Sequence, residues 1–465
     1  MIAASLPLRI LTAALAIGCV LGLMHVVCVI GFHVPFDPNE GWNAAFTQAV
    51  RTTGSPYPPA DGLLINNYPP LSFYLIAAVS QLTGDAIVAG RIVALAALLA
   101  VALGIETAAR MMGCSRIEAL FAALLFTAGL MLTTDYVGMD DPQMLGHAIA
   151  MGGLLLALRE PRSPRLMAAA AFALTLAFFV KHNLIVLPLA LAAWLFLADR
   201  RHAVTFIVCG AIFLLLGLGI FKQAYGFSLL AQLVSARGYA LSNIAGGLLP
   251  WLPLGIVALA GGVFLFVLAR HDRHAVFVTL YAATAVAVGV YFLGGAGVDA
   301  NALFDADIAL ALCAGLLMSR LQFPLWQGIA ATLYALPLLF NLYALDAPWR
   351  ETGYWLHPMA EDRATASAEI ALIRAAPRPA LCEMLSLCFW AGKPAQVDVF
   401  NIEQAYLAGA RNDAKLAQDI KERHYGLIQL EQLEPFPLTP AIHAALMENY
   451  RIVRTDDDRV FFAPR

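Results

Sequence analysis

Two carboxylates, Asp37 and Glu40, lie in the run Phe36-Asp37-Pro38-Asn39-Glu40-Gly41-Trp42-Asn43, directly after an almost unbroken apolar stretch at 10–31. Asn66-Asn67-Tyr68-Pro69-Pro70-Leu71 follows before the next apolar run. Further polar clusters sit at the ends of later runs: Tyr136-Val137-Gly138-Met139-Asp140-Asp141-Pro142, Lys181-His182-Asn183, Lys222, and Gly297-Val298-Asp299-Ala300-Asn301. A carboxylate can take a proton from a hydroxyl nucleophile. Lysine and arginine can hold a leaving phosphate and stabilise its growing charge. An apolar cleft between spans can take a lipid tail. Together these residue types suit transfer of a sugar from a polyprenyl-phosphate carrier.

Each motif also has a plainer use. Asp37 or Glu40 can cap the helix that starts near Gly41. Asp140-Asp141-Pro142 can be a turn and cap, with proline at a first helical position. Lys181 can snorkel to the membrane interface. The glycines at 294–297 can be a simple loop. The functional reading gains from position, because all of these motifs fall on one side of the chain's apolar runs.

The runs that must position them dominate the composition. Of 465 residues, 60% are hydrophobic and 13% charged, against about 25% charged in soluble domains. The net charge of −3, with no basic stripe, excludes a nucleic-acid partner. Eleven apolar segments are expected to be membrane-spanning helices: 10–31, 87–109, 117–133, 142–158, 166–180, 183–198, 203–221, 246–269, 274–293, 303–319 and 323–343. The run 71–82 is too short to cross and is expected at the interface. The first run is expected to be retained as a span rather than cleaved as a signal peptide.

If the N-terminus is cytoplasmic, Arg9, Arg110, Arg116, Arg159, Arg162, Arg165, Arg200, Arg201, Arg270, Arg273 and Arg320 fall inside. Only Arg51, Arg91, Lys181, Lys222 and Arg237 fall outside before residue 344. That asymmetry obeys the positive-inside rule. It puts the outer loop 32–86 and everything after 343 outside, together with the acids. Residues 1–343 are thus read as a membrane domain. Residues 344–465, charged and mixed, read as a small C-terminal α/β domain with a core of its own. Its strands are expected at 380–387, 425–430, 450–453 and 460–463, and its helices at 360–375, 402–408, 413–423 and 440–450. Cys382 and Cys388 fall in this domain. A disulfide and two unpaired thiols are equally open.

In this order along the chain, Asp37-Pro38-Asn39-Glu40-Gly41, Asn67-Tyr68-Pro69-Pro70-Leu71, Gly90-Arg91-Ile92, Met139-Asp140-Asp141-Pro142, Lys181 with Leu187-Pro188, and Gly297-Val298-Asp299-Ala300-Asn301 resemble the GT-C superfamily of membrane glycosyltransferases. The likeness is to the branch of protein O-mannosyltransferases and lipid A aminoarabinose transferases. Trp390-Ala391-Gly392-Lys393-Pro394 extends it loosely into the tail. The resemblance implies a polytopic helical fold, an outward-facing site in a bacterial inner membrane, a polyprenyl-phosphate sugar donor, and an inverting transfer to a lipid, glycan or protein. It implies a base from Asp37 or Glu40, with Asp140 and Asp141 as further acids. Lys181, Arg91, Tyr68 and Lys222 would hold the donor phosphate, and Asn67, His182, Asp299 and Asn301 the substrates. Family members commonly carry adjacent Asp-Glu where this chain has Asn39-Glu40. The aminoarabinose transferases carry a lysine beside the Tyr-Pro element, where this chain has Asn67. Magnesium or manganese could sit among Asp37, Glu40 and Asp140. The competing function class is a transporter or flippase of lipid-linked sugars. It should show internal repeats, and none is evident in the sequence.

Overall fold

The computed structural model describes residues 4–59, 61–132, 136–226, 228–233, 237–344, 354–431, 438–456 and 459–465. Its membrane part is built from α1 (Leu6–Val29), α2 (Pro38–Thr53), α3 (Leu71–Thr83), α4 (Ala86–Met111), α5 (Arg116–Met131), α6 (Gln143–Leu158), α7 (Pro164–Val180), α8 (Val186–Ala198), α9 (Arg200–Tyr225), α10 (Ser228–Leu233), α11 (Leu241–Ala269), α12 (Arg273–Leu293), α13 (Phe304–Arg320) and α14 (Pro324–Ala344). Every expected span is one of these helices. Seven are long and apolar enough to cross a bilayer. This is a multi-pass membrane protein.

The other four, α5 to α8, have only 13–17 residues, against about 20 for a full crossing. Two of the breaks that shorten them hold polar motifs. Residues 136–142 precede α6 outside the helix, and 181–185 leave it between α7 and α8. Non-helical backbone at the edge of a membrane domain must line a cavity or be buried in protein. Here it carries Asp140, Asp141 and Lys181.

The run 71–82 is α3, a short helix beside α2 and α4. Helix starts follow capping chemistry: Asp37 accepts from the Asn39 amide (2.7 Å), and Asp85 from those of Ile87 and Val88. Ser115 and Glu118 form a reciprocal capping box on α5. Asp37 is thus a cap, as expected, without losing its exposure to the cleft described below.

The tail carries α15 (Ala360–Ala375), α16 (Leu385–Trp390), α17 (Val399–Leu407), α18 (Ala414–Lys421) and α19 (Pro440–Asn449) around a four-stranded sheet. The strands are β1 (Ala380–Cys382), β2 (Leu427–Leu430), β3 (Tyr450–Thr455) and β4 (Val460–Pro464), in the order β1-β2-β4-β3. β1 and β2 run parallel, with Leu381 opposite Ile428. The rest are antiparallel. The expected strand 380–387 is corrected: it stops at Cys382, and the chain turns into α16, tied back by a Cys382–Cys388 disulfide. The expected domain boundary at 344 abuts residues 345–353, which lie outside the described residues.

The tail packs on the membrane part through α2. At Gly41 a Cβ would stand 1.9 Å from the Ser386 amide nitrogen, so only glycine admits α16 this closely. Trp42, Phe46, Phe73 and Leu385 form one apolar cluster across the junction. The Trp42 indole donates to Asp398 (2.9 Å), and the Trp390 indole donates to Asp85 (2.9 Å).

Candidate active site

The centre of the site is a lysine held by a carboxylate against a tyrosine ring. Lys181 follows α7, where the helix has ended, and is buried. Its Nζ lies 3.0 and 3.2 Å from the two Asp141 oxygens and 3.7 Å from the centre of the Tyr68 ring. Asp141 is steadied by the Gln143 amide (2.7 Å). Tyr68 is fixed at its backbone, donating to Asn66 Oδ1 (3.0 Å) and accepting from the Tyr57 hydroxyl (2.9 Å), while its ring meets Trp42 edge-on. Lys181 reaches this tyrosine from the end of α7.

Asp37, the N-cap of α2, is half-buried. Burial, aided by Asp141 and Glu40, pushes its carboxyl up to about 6. Tyr136 lies within electrostatic reach of Asp37, Tyr68, Asp141 and Asp299. Asp299 is exposed on the turn that precedes α13, and Asn301 follows on the same turn. Burial, with Lys181 next to it, lowers His182 to about 4, so its ring is neutral at pH 7. His182 Nδ1, Asn183 Oδ1 and Asn67 Oδ1 are buried acceptor or donor positions without a partner. Such groups in a native cleft call for an explanation, a bound ligand being one.

Glu40 and Arg91 occupy a different place. Arg91 Nε and Nη2 donate to the two Glu40 oxygens at 2.6 Å, and both side chains are fully buried. The remaining guanidinium hydrogens go to the Ile30, Phe32 and Val34 carbonyls. All five Arg91 donors are engaged. The expectation that Arg91 holds a phosphate is therefore corrected: it bolts the end of α1 to α2 and α4. Glu40 also accepts from the Phe36 and Asp140 amides, so neither of its oxygens is free to take a proton from an acceptor. Asp140 is sealed behind Gly90, where a Cβ would stand 1.8 Å from Asp140 Oδ1. Burial, with Glu40 beside it, raises its carboxyl well above the usual range. Neither of its oxygens has a partner.

The metal set Asp37, Glu40 and Asp140 does not assemble, because Glu40 already faces a guanidinium. Among the described residues no group of three His, Cys, Asp or Glu side chains is placed to hold a metal ion. Lys222 is exposed in the last turn of α9, whose end meets the first loop through Tyr225, packed on Tyr57 and bonded to Tyr74 (2.6 Å).

Sequence reasoning missed Arg237 as a site residue and counted it only as an outer cation. It lies between α10 and α11, donates to the Ala296 carbonyl (3.3 Å) and Asn401 Oδ1 (3.2 Å), and keeps a buried Nε without a partner. It is within electrostatic reach of Tyr68, His182 and Asp398. Asn401 is itself held by Asp398 (2.7 Å), which accepts from Trp42. The tail thus positions this arginine. The available signal was scarcity: Arg237 is one of very few cations on the outer side.

Residues 67–225 match the family model described as dolichyl-phosphate-mannose-protein mannosyltransferase. No curated protein matches the chain in sequence. Two solved structures resemble it over nearly their whole length. Apo ArnT from Cupriavidus metallidurans superposes with a TM-score of 0.61 at 15% identity, covering 96% of this chain and 98% of that one. The same ArnT bound to undecaprenyl phosphate gives 0.60 at 15%, with 97% of each chain covered. The chain shares the fold of these structures over nearly its whole length.

Proposed function

We propose that this protein is an inverting glycosyltransferase that moves a sugar from a polyprenyl-phosphate donor to an acceptor at the outer face of a bacterial inner membrane. One observation carries the reading: Lys181 is pinned by Asp141 over Tyr68, and the same Asp141 acts electrostatically on the half-buried carboxyl of Asp37. Burial works against the Lys181 charge, and Asp141 beside it more than offsets this, so the ammonium is held charged. The Lys181–Asp141 pair is neutral as a whole, so the net positive charge for a phosphate comes from Arg237. A structure of the same fold holds undecaprenyl phosphate, which supports a carrier of that chemistry here.

In the transfer step, Asp37 takes the proton of the acceptor hydroxyl as its oxygen attacks the anomeric carbon. The bond from that carbon to the phosphate oxygen breaks, and its electron pair leaves on the phosphate. Lys181 and Arg237 stabilise that charge where it develops. A single displacement inverts the anomeric centre. His182, Asn67 and Asp299, with unsatisfied or exposed polar groups on the same cleft, contact the sugars. With the N-terminus cytoplasmic, the tail is periplasmic. The Cys382–Cys388 disulfide supports that side, since disulfides persist in oxidising compartments. The test is turnover of polyprenyl-phosphate sugars by purified protein in detergent. Release of free polyprenyl phosphate with a stoichiometric inverted product is expected. Intact donor across a panel of sugars, with no product, would overturn the reading.

A further inference from the structure

A second cleft, of about 360 Å³, opens between the first outer loop and the tail. One wall is the proline-rich stretch around Pro58 and Pro59, and the other is the tail. The proline wall is stiff for local reasons. Two prolines fix their own φ, and the loop is pinned along its length. Gln232 donates to the Pro58 carbonyl (3.1 Å) and accepts from the Asn66 amide (2.8 Å). Arg411 donates to the Gly62 carbonyl, and the Asp398 amide to that of Leu63 (2.9 Å). The other side of this loop holds Tyr68 through the Tyr57 hydroxyl (2.9 Å). The loop therefore lines this cleft and, through Tyr57, also supports the tyrosine of the lysine–tyrosine site.

The tail wall presents Lys415 and Asp419, four residues apart on one face of α18. Gln396, His424 and Tyr425 complete it. Among the described residues, no side-chain hydrogen bond or ion pair engages Lys415, Asp419, Gln396 or His424. Opposite charges at this spacing commonly pair across a helix turn. Here both are left to the cleft.

These side chains select a ligand chemistry. One cation, one anion, an amide and an imidazole sum to almost no net charge, so the wall attracts neither a phosphate nor a strongly charged peptide. It offers donors and acceptors side by side, which a polyhydroxylated ligand satisfies because each hydroxyl both donates and accepts. The flat faces of Pro58 and Pro59 suit the C–H face of a sugar ring. The volume falls in the usual range for small-molecule sites, roughly 300–1,000 Å³. We infer that this cleft binds a short neutral saccharide, and, on the glycosyl-transfer reading above, that it grips the glycan part of the acceptor next to the reacting centre.

The test uses full-length protein in lipid nanodiscs and needs no donor. Saturation-transfer NMR with maltotriose, cellotriose and chitotriose as probes should show binding to the wild type by at least one of them. Lys415→Ala and Asp419→Asn should each weaken that binding about 10-fold, the size of one lost charged hydrogen bond. Inorganic phosphate should not compete. No binding of any probe, or equal binding by both variants and wild type, would overturn the inference. If no donor is ever turned over but these variants lose saccharide, the cleft stands and the transferase reading fails. If the protein is an active transferase whose acceptor KM ignores both substitutions, the transferase reading stands and the acceptor role of the cleft fails.

Discussion

Asp37 does two jobs that one substitution can separate. As the N-cap of α2 it needs only an acceptor oxygen, which asparagine supplies about as well. As a base it needs an ionisable carboxyl. Asp37→Asn should therefore fold with an unchanged melting temperature yet lose roughly 100-fold or more in kcat. Asp37→Ala should lose both. The carboxyl, raised to about 6 by burial, must be deprotonated to accept a proton. Activity should then fall as pH drops through about 6 and level off above it, and a pH profile of kcat/KM reads this directly. A limb near 4 would place the base elsewhere. Lys181 makes a third test. Removing it alone strands Asp141, which by itself destabilises the fold. The paired variant Lys181→Met with Asp141→Asn should recover stability and still bind a donor analogue weakly. Recovery of both stability and donor affinity would reduce the lysine to a structural role.

At the scale of elements, Glu40–Arg91 is a bolt joining α2 to α4 and to the chain after α1. Breaking a fully buried pair by removing one partner costs about 3–5 kcal/mol. Glu40→Gln should therefore lower thermal stability and yield well before it changes chemistry, in contrast to Asp37→Asn. Gly41→Ala would push α16 off α2. It should leave the membrane helices folded while raising protease sensitivity in the tail, and with it loosening Arg237, which the tail holds through Asn401 and Asp398. How much of this was legible differs by kind of signal. Helices with unbroken apolar runs were plain, because composition alone marks them. The motifs at 37–40, 66–71, 139–142 and 181 were visible because polar residues are costly beside apolar spans. Their division of labour was not. Asp37 and Glu40 are three residues apart, yet one meets the cleft and the other an arginine some 50 residues onward in the chain, and only packing decides which. Arg237 was visible only as a scarce cation; its role was not, because Asn401, which it touches, and Asp398 behind it lie in the tail. The strand expected at 380–387 failed because an apolar run that short fits strand or helix equally well.

In the whole molecule, a membrane domain is joined to a tail that holds Arg237 and walls a second cleft. On the proposed topology the tail is periplasmic. Membrane-impermeant thiol or protease probes on cells with a permeable outer membrane should reach the tail, and protection of the tail would reverse the orientation. The central claim, that Asp37 drives transfer from a polyprenyl-phosphate sugar, is tested most directly by one comparison. Purified wild type and Asp37→Asn, matched for melting temperature, are each given radiolabelled polyprenyl-phosphate sugar and a crude envelope extract as acceptor, and release of polyprenyl phosphate is followed. Rapid release by the wild type and at least about 100-fold slower release by the variant are predicted. Equal rates in the two proteins would contradict the assignment of Asp37 as the base.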